Sequence, residues 1–138
     1  MNDLIAYAMC FVGLPYHWGG DDTIEGFDCS GLVQEILASV GKDPPGDQTA
    51  DGLFRHFINN GTMDLRKPGA LAFFGQLGKG ITHVGFMVDS WRMLEAAGGG
   101  SKTRTLADAA KHNAYIRIRP ITNRVDLVKV IMPDYKII

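Results

Sequence analysis

Cys29 stands in Phe27-Asp28-Cys29-Ser30-Gly31-Leu32-Val33, a turn that delivers a thiol to the start of a helix. The unpaired N–H groups of a first helical turn, with the macrodipole behind them, favour a thiolate, so a helix start is where a cysteine becomes a nucleophile. Leu32, Val33, Ile36, Leu37 and Val40 recur on one helical face, Asp28 is a good N-cap type, and Gly41 is a good C′ residue. The residues alone leave a second reading open, with Cys29 a small buried hydrophobe and Asp28 only the helix cap.

A nucleophilic thiol needs a base, and His17, His56, His83 and His112 are available. His56 falls opposite the apolar face of the helical pattern from Thr49 to Asn59, which predicts a solvated side chain. His112, in Lys111-His112-Asn113, reads as a loop residue. His83 opens the strand-like run Ile81 to Val88, and a second run, Arg92 to Ala97, follows Asp89-Ser90, which predicts an antiparallel hairpin. Pairing Met87 with Trp91 and Gly85 with Met93 places His83 opposite Glu95, close enough for a carboxylate to orient the imidazole. A one-residue slip would send Glu95 to the other face. Gly85 shares the face of His83 and leaves room there for a thiol or a substrate. The competing reading of Thr82-His83-Val84-Gly85 is a strand with a satisfied core histidine.

The elements that must position these groups change character along the chain. Helices are predicted from Asp3 to Val12, Cys29 to Val40 and Thr49 to Asn59, with a break at Asp43-Pro44-Pro45-Gly46. After Pro68-Gly69 come strands at Ala70 to Phe74, Ile81 to Val88, Arg92 to Ala97, Tyr115 to Arg119 and Asp126 to Met132, with a helical turn at Leu106 to Lys111. Helices first and strands later predict an α+β domain, with an antiparallel sheet packed on the Cys29 helix. The alternation Tyr115-Ile116-Arg117-Ile118-Arg119 predicts a strand with one wet face.

The 138 residues suffice for one domain with one core, so residues 1–138 are read as a single catalytic domain. Fourteen Lys and Arg against 15 Asp and Glu, with no basic cluster, disfavour a nucleic-acid partner. Cys10 lies in the first helical pattern and reads as packing, and two cysteines make no disulfide framework. Neither cysteine nor histidine shows zinc-ligand spacing, so no metal or other cofactor is expected, and Gly98-Gly99-Gly100 lacks the ending of a phosphate loop. That tract reads as a flexible turn that in this fold would rim the cleft.

Cys, then His, then a polar orienting residue is the order of papain-like cysteine peptidases, and the chain resembles the NlpC/p60 family of cysteine peptidases and amidases. The matching stretches are Phe11-Val12-Gly13-Leu14-Pro15-Tyr16-His17-Trp18-Gly19-Gly20, Gly26 to Val33, Lys67 to Phe74 and Thr82 to Met87. The resemblance implies a papain-like α+β fold, Cys29 as nucleophile, His83 as base and Glu95 at the third catalytic position. The family usually has His there, and the related CHAP amidases use an acidic residue. It further implies that Tyr16, with the Cys29 N–H, contacts the oxyanion or substrate. In members acting on peptidoglycan stem peptides, the positions of Tyr16, Asp28 and Ser30 hold a free substrate amine, and the bond cut follows D-γ-glutamate. Ala70 departs from the Asp often found there, which implies a lost structural hydrogen bond.

The chemistry implied is acyl transfer from amide to thiol to water, with peptidoglycan or its stem peptides as substrate. The chain begins with a capped amphipathic helix, without the charged stretch, apolar core and cleavage site of an export signal, and no apolar run approaches a membrane span. A wall enzyme without an export signal is expected to be a phage or prophage protein, with phage tail or lysis proteins as partners, or a cytoplasmic enzyme recycling peptides. Two other classes stay open: a non-catalytic structural or binding module, as in a phage tail, and an acyltransferase or amidase on a non-wall substrate.

Overall fold

The computed structural model describes residues 1–22 and 26–135. Among these residues, four helices, α1 (Asn2–Met9), α2 (Cys29–Ala38), α3 (Ala50–Phe57) and α4 (Leu106–His112), accompany a small hairpin and a larger sheet. The hairpin pairs β1 (Asp21–Asp22) with β2 (Gly26–Phe27). The sheet comprises β3 (Gly61–Met63), β4 (Leu71–Gln76), β5 (Gly80–Met87), β6 (Arg92–Ala97), β7 (Tyr115–Pro120) and β8 (Leu127–Pro133). Its order is β3-β8-β4-β5-β6-β7, antiparallel at every pairing. The expected α+β architecture is therefore the observed one, with β3 and the β1–β2 hairpin as additions.

Helix α2 is the element around which the rest is built. Leu32, Val33, Ile36 and Leu37 have no exposed surface, and Ser30, Gly31 and Gln34 are buried as well. Its start is capped by Asp28, whose Oδ1 accepts the Gly31 N–H at 2.7 Å. Its end is a Schellman turn: the N–H of Gly41 reaches Ala38 O at 3.1 Å and that of Lys42 reaches Leu37 O at 2.9 Å, with Gly41 at φ +70°. Buried Gln34 accepts from Gln48 N at 2.7 Å and donates to Gln48 O and Asp47, which anchors the proline-rich break to the helix.

Alternation along the strands divides the core into two layers. Leu71, Phe73, Val84, Phe86, Leu94, Ile116 and Ile131 join the helices in the larger layer. Ala70, Ala72, Phe74, Met87, Met93 and Val130 form a smaller cluster closed by Ile121 of a 3-10 turn. Ala70 is fully buried in that apolar cluster, which explains how the chain does without a polar side chain there.

Five expectations are corrected. Strands β5 and β6 pair Phe86 with Leu94 and Met87 with Met93, two residues from the predicted register. Asp89 sets it: Oδ1 accepts the N–H groups of Trp91 and Arg92, and Val88 N then bonds Arg92 O. An even slip preserves facing, so Glu95 stays on the His83 side of the sheet. Gly85 leaves no room for a thiol, because a Cβ there would lie 2.5 Å from Met93 Sδ. Cys10 is exposed at the end of α1, its thiol directed to Ala6 O at 3.4 Å, and α1 starts at Met1 without a side-chain cap. His112 is the last residue of α4 rather than a loop residue, since Asn113 in the left-handed region ends that helix one position later.

Candidate active site

Cys29 occupies the first position of α2, half-buried. Asp28 fixes that start to the preceding loop, because its Oδ2 accepts the Gly19 N–H at 3.1 Å and its backbone N–H bonds Gly20 O at 3.1 Å. The fit is close: a Cβ on Gly31 would stand 2.2 Å from Gly20 O. The Gly-Gly loop and the helix start thus form one unit that aims the thiol.

The thiol meets His83 where the sheet divides. Past the Phe86–Leu94 pair, β5 and β6 have no further paired residues, and the cleft walled by Thr82 and His83 from one and Ala96 and Ala97 from the other opens there. Its volume is about 180 Å³, and Tyr16, Trp18, Cys29, Gly98 and Gly99 complete much of the wall. A larger hollow of about 350 Å³ lies between α3 and the β4–β5 turn, lined by Asp51, Arg55 and Lys79, but it contains no nucleophile.

His83 shares the cleft wall with Cys29, and its Nε2 lies 2.6 Å from Glu95 Oε1, which leaves Nδ1 for the thiol. Burial alone would lower the pKa of this imidazole, but hydrogen bonds to Cys29 and Glu95 and the charges of both raise it, to about 9. Glu95 has no exposed surface. Burial pushes its carboxyl upward, yet the hydrogen bonds and charges of His83 and Arg119 prevail and hold it below the usual carboxylate range. Arg119 Nε donates to Glu95 Oε2 at 2.9 Å, so both carboxylate oxygens are satisfied.

Of the other residues singled out in the sequence, Tyr16 is on the cleft wall and buried, while Asp28 and Ser30 stand behind it. Burial, then the charges of Cys29 and Asp28, push the Tyr16 hydroxyl above its ordinary range, so it remains a protonated donor. Ser30 Oγ donates to Asp28 Oδ1 at 3.3 Å. Burial also raises the Asp28 carboxyl, against the lowering effect of the donors from Gly31, Gly19 and Ser30. Gly98 and Gly99 do rim the cleft, and Gly99 packs so closely on Tyr16 that a Cβ would fall 2.2 Å from the ring. Of the remaining histidines, exposed His112 meets Thr103 Oγ1 through Nδ1 at 2.8 Å, and His56 stacks edge-on with Phe57 at 4.7 Å. His56 is half-buried rather than fully solvated.

Sequence reading missed Arg119 and Arg124, which also line the cleft. The Tyr115 to Arg119 alternation identified the wet face that carries Arg119, but nothing in it distinguishes an arginine in solvent from one that meets a buried acid, and Arg124 lies beyond that strand, after the 3-10 turn. Chemically, the arrangement is a thiol beside a base that is backed by an ionised carboxylate, and such a set can move a proton between sulfur, nitrogen and a bound substrate.

Comparison with known proteins bears on the family and the fold. The NlpC/P60 family profile matches residues 13–120. The chain is 40% identical over 96 residues to the bifunctional muramidase/DL-endopeptidase CwlT of Bacillus subtilis, covering 67% of this chain and 28% of that protein. It is 38% identical over 110 residues to the gamma-D-glutamyl-L-lysine dipeptidyl-peptidase of the same organism, covering 76% and 35%. The chain therefore spans about a third or less of these relatives. Among solved structures, the NlpC/p60 domain of the peptidoglycan hydrolase SagA superposes with a TM-score of 0.67 at 23% identity, covering 93% of this chain and 94% of that one. An NlpC/P60 family protein from Bacillus cereus gives 0.68 at 24%, covering 94% and 38%. With its fold and its matched span in agreement, the chain belongs to the NlpC/P60 family.

Proposed function

We propose that the chain is a cysteine-type hydrolase of amide bonds in peptidoglycan stem peptides, cutting after γ-linked D-glutamate. The observation that carries this reading is the thiol of Cys29, at the start of α2, sharing a cleft with a buried imidazole whose Nε2 lies 2.6 Å from an ionised Glu95. The relatives named for DL-endopeptidase and gamma-D-glutamyl-L-lysine dipeptidyl-peptidase activity supply the substrate class.

The Cys29 thiolate attacks the amide carbonyl, forming a C–S bond, and the oxygen takes up the negative charge. In this reading the Cys29 N–H and the Tyr16 hydroxyl, both on the cleft wall, receive that charge. The His83 imidazolium gives its proton to the leaving nitrogen, the C–N bond breaks, and a thioester remains. Neutral His83 then takes a proton from water as the water oxygen attacks the thioester. Collapse releases the acid and restores the thiolate and imidazolium. Glu95 holds the ring and stabilises its charged form, as the third member of a triad does.

Substrate recognition in this proposal uses Tyr16 and Asp28 together. Asp28 Oδ1 is spent on Gly31 and Ser30, whereas Oδ2 carries only the Gly19 N–H among the described residues, which leaves it able to accept from a substrate ammonium. Ser30 orients the carboxylate. Mass spectrometry of products from defined stem peptides tests the activity, with Cys29→Ala expected to abolish cleavage; a fully active Cys29→Ala protein would refute it. N-acetylating the peptide should lower kcat/KM by roughly tenfold or more, with a smaller loss in Asp28→Asn. Indifference to acetylation would leave Asp28 as a helix cap alone.

A further inference from the structure

The cleft wall carries two guanidiniums, those of Arg119 and Arg124, and no carboxylate among the described residues. Glu95 lies behind the wall without exposed surface, and Asp126 is not part of the lining. The two arginine side chains are 31% and 32% exposed, and each is fixed from behind. Arg119 is held through Nε by Glu95 at 2.9 Å. Arg124 is held by Asp126 through Nε and Nη2, at 2.9 and 2.8 Å, with its guanidinium 5.2 Å from the Phe74 ring centre. A guanidinium has five N–H donors, and these contacts use one on Arg119 and two on Arg124. Donors that are already immobilised and not fully spent make a prepared site for a planar anion.

Their position selects which part of a substrate they meet. Tyr16 lies on the side of the cleft formed by the loop before α2, with Asp28 behind it. Arg119 lies beyond His83, since it reaches Glu95, which reaches the imidazole. The imidazolium protonates the leaving nitrogen, so the leaving residue occupies the His83 side. The cleft has room for roughly six waters, so an anion bound at its far wall must sit within a residue of the scissile bond.

We infer that Arg119 and Arg124 form a carboxylate subsite for the residue released as the amine, so that the enzyme selects a leaving amino acid bearing a free carboxylate. This rests on the hydrolase reading above and adds a specificity to it. Arg124 is the cleaner probe, because Arg119 also supports Glu95.

The test compares three otherwise identical γ-D-glutamyl peptides: unmodified, amidated at the leaving residue's carboxylate, and amidated at the glutamyl α-carboxylate. Affinity for the Cys29→Ala protein is measured by calorimetry and turnover by the wild type. Amidation of the leaving residue should weaken binding and lower kcat/KM by about tenfold or more. Arg124→Gln should erase that preference, and Arg124→Lys should retain part of it. Equal affinity for the unmodified peptide and the one amidated at its leaving residue, binding of neither, or a loss confined to glutamyl amidation would each overturn the subsite; the wild-type comparison stands even if an Arg124 variant fails to fold. Turnover without discrimination would remove the subsite and keep the hydrolase, whereas discrimination in binding without turnover would do the reverse.

Discussion

At the scale of single residues, His83 is the group whose environment makes the sharpest forecast. Its pKa of about 9 depends on partners that can be removed one at a time. In NMR titrations the imidazole should lose its proton near pH 9 in the wild type and at lower pH in Cys29→Ala, where a hydrogen bond and a charge are gone. An unchanged midpoint would mean that the thiol and imidazole do not interact. Glu95→Gln should lower kcat substantially but less than His83→Ala, since the base remains when only its orienting group is lost. Arg119→Gln would leave a buried Glu95 oxygen without its donor and let the carboxyl protonate at higher pH. The acid limb of kcat/KM should therefore move toward neutrality, and Arg119→Lys should largely restore it. Iodoacetamide at neutral pH should modify Cys29 before Cys10, because a base shares its cleft, although Cys10 is the more exposed thiol. Equal labelling would remove the distinction between them.

At the scale of elements, much of the site was legible because it sits on strongly patterned segments. The strand Arg92 to Ala97 and the start of α2 at Cys29 were placed correctly from apolar spacing and cap chemistry. The hairpin register was not, because a side chain, Asp89, decides how many residues its turn contains, and strand periodicity says nothing about that. Strand β3 was missed for a different reason: Gly61–Met63 is short, largely exposed, and paired only at the sheet edge with β8, so it shows no alternation to detect. The Gly98–Gly100 tract was legible as a turn, but not its contact with Tyr16. Gly99→Ala would force a Cβ against that ring, which is held in the cleft wall. Peptide cleavage should fall at least severalfold, with a thermal stability loss of about 1–3 kcal/mol from overpacking. Full activity in Gly99→Ala would show that the Tyr16 position does not matter to the reaction.

For the whole molecule, the buried ion pair ties stability to pH on both sides. His83 has a raised folded pKa, so its contribution is complete below the ordinary value of 6.5 and is lost as pH rises through about 9. Glu95 has a lowered folded pKa, so its contribution is complete above the ordinary 4.5 and is lost as pH falls through its depressed value. Urea unfolding should therefore show a plateau between about pH 4.5 and 6.5, with an alkaline decline on the order of 1–3 kcal/mol by pH 9. The alkaline decline should flatten in His83→Gln. A decline of equal size in that variant would place its origin elsewhere.

The line of groups from Cys29 through His83 and Glu95 to Arg119 also has a consequence in time. No two of its members are close in sequence: His83 and Glu95 are 12 residues apart, and Glu95 and Arg119 are 24. Closing such contacts requires long loops to order, so they form late in folding. As the ribosome releases the chain, Cys29 emerges first, and it acquires its base only when β5 folds back onto α2. The imidazole's clamp is complete only once β7 has added Arg119 at the sheet edge. The rate at which Cys29 is labelled during refolding would therefore time the docking of β5 onto α2.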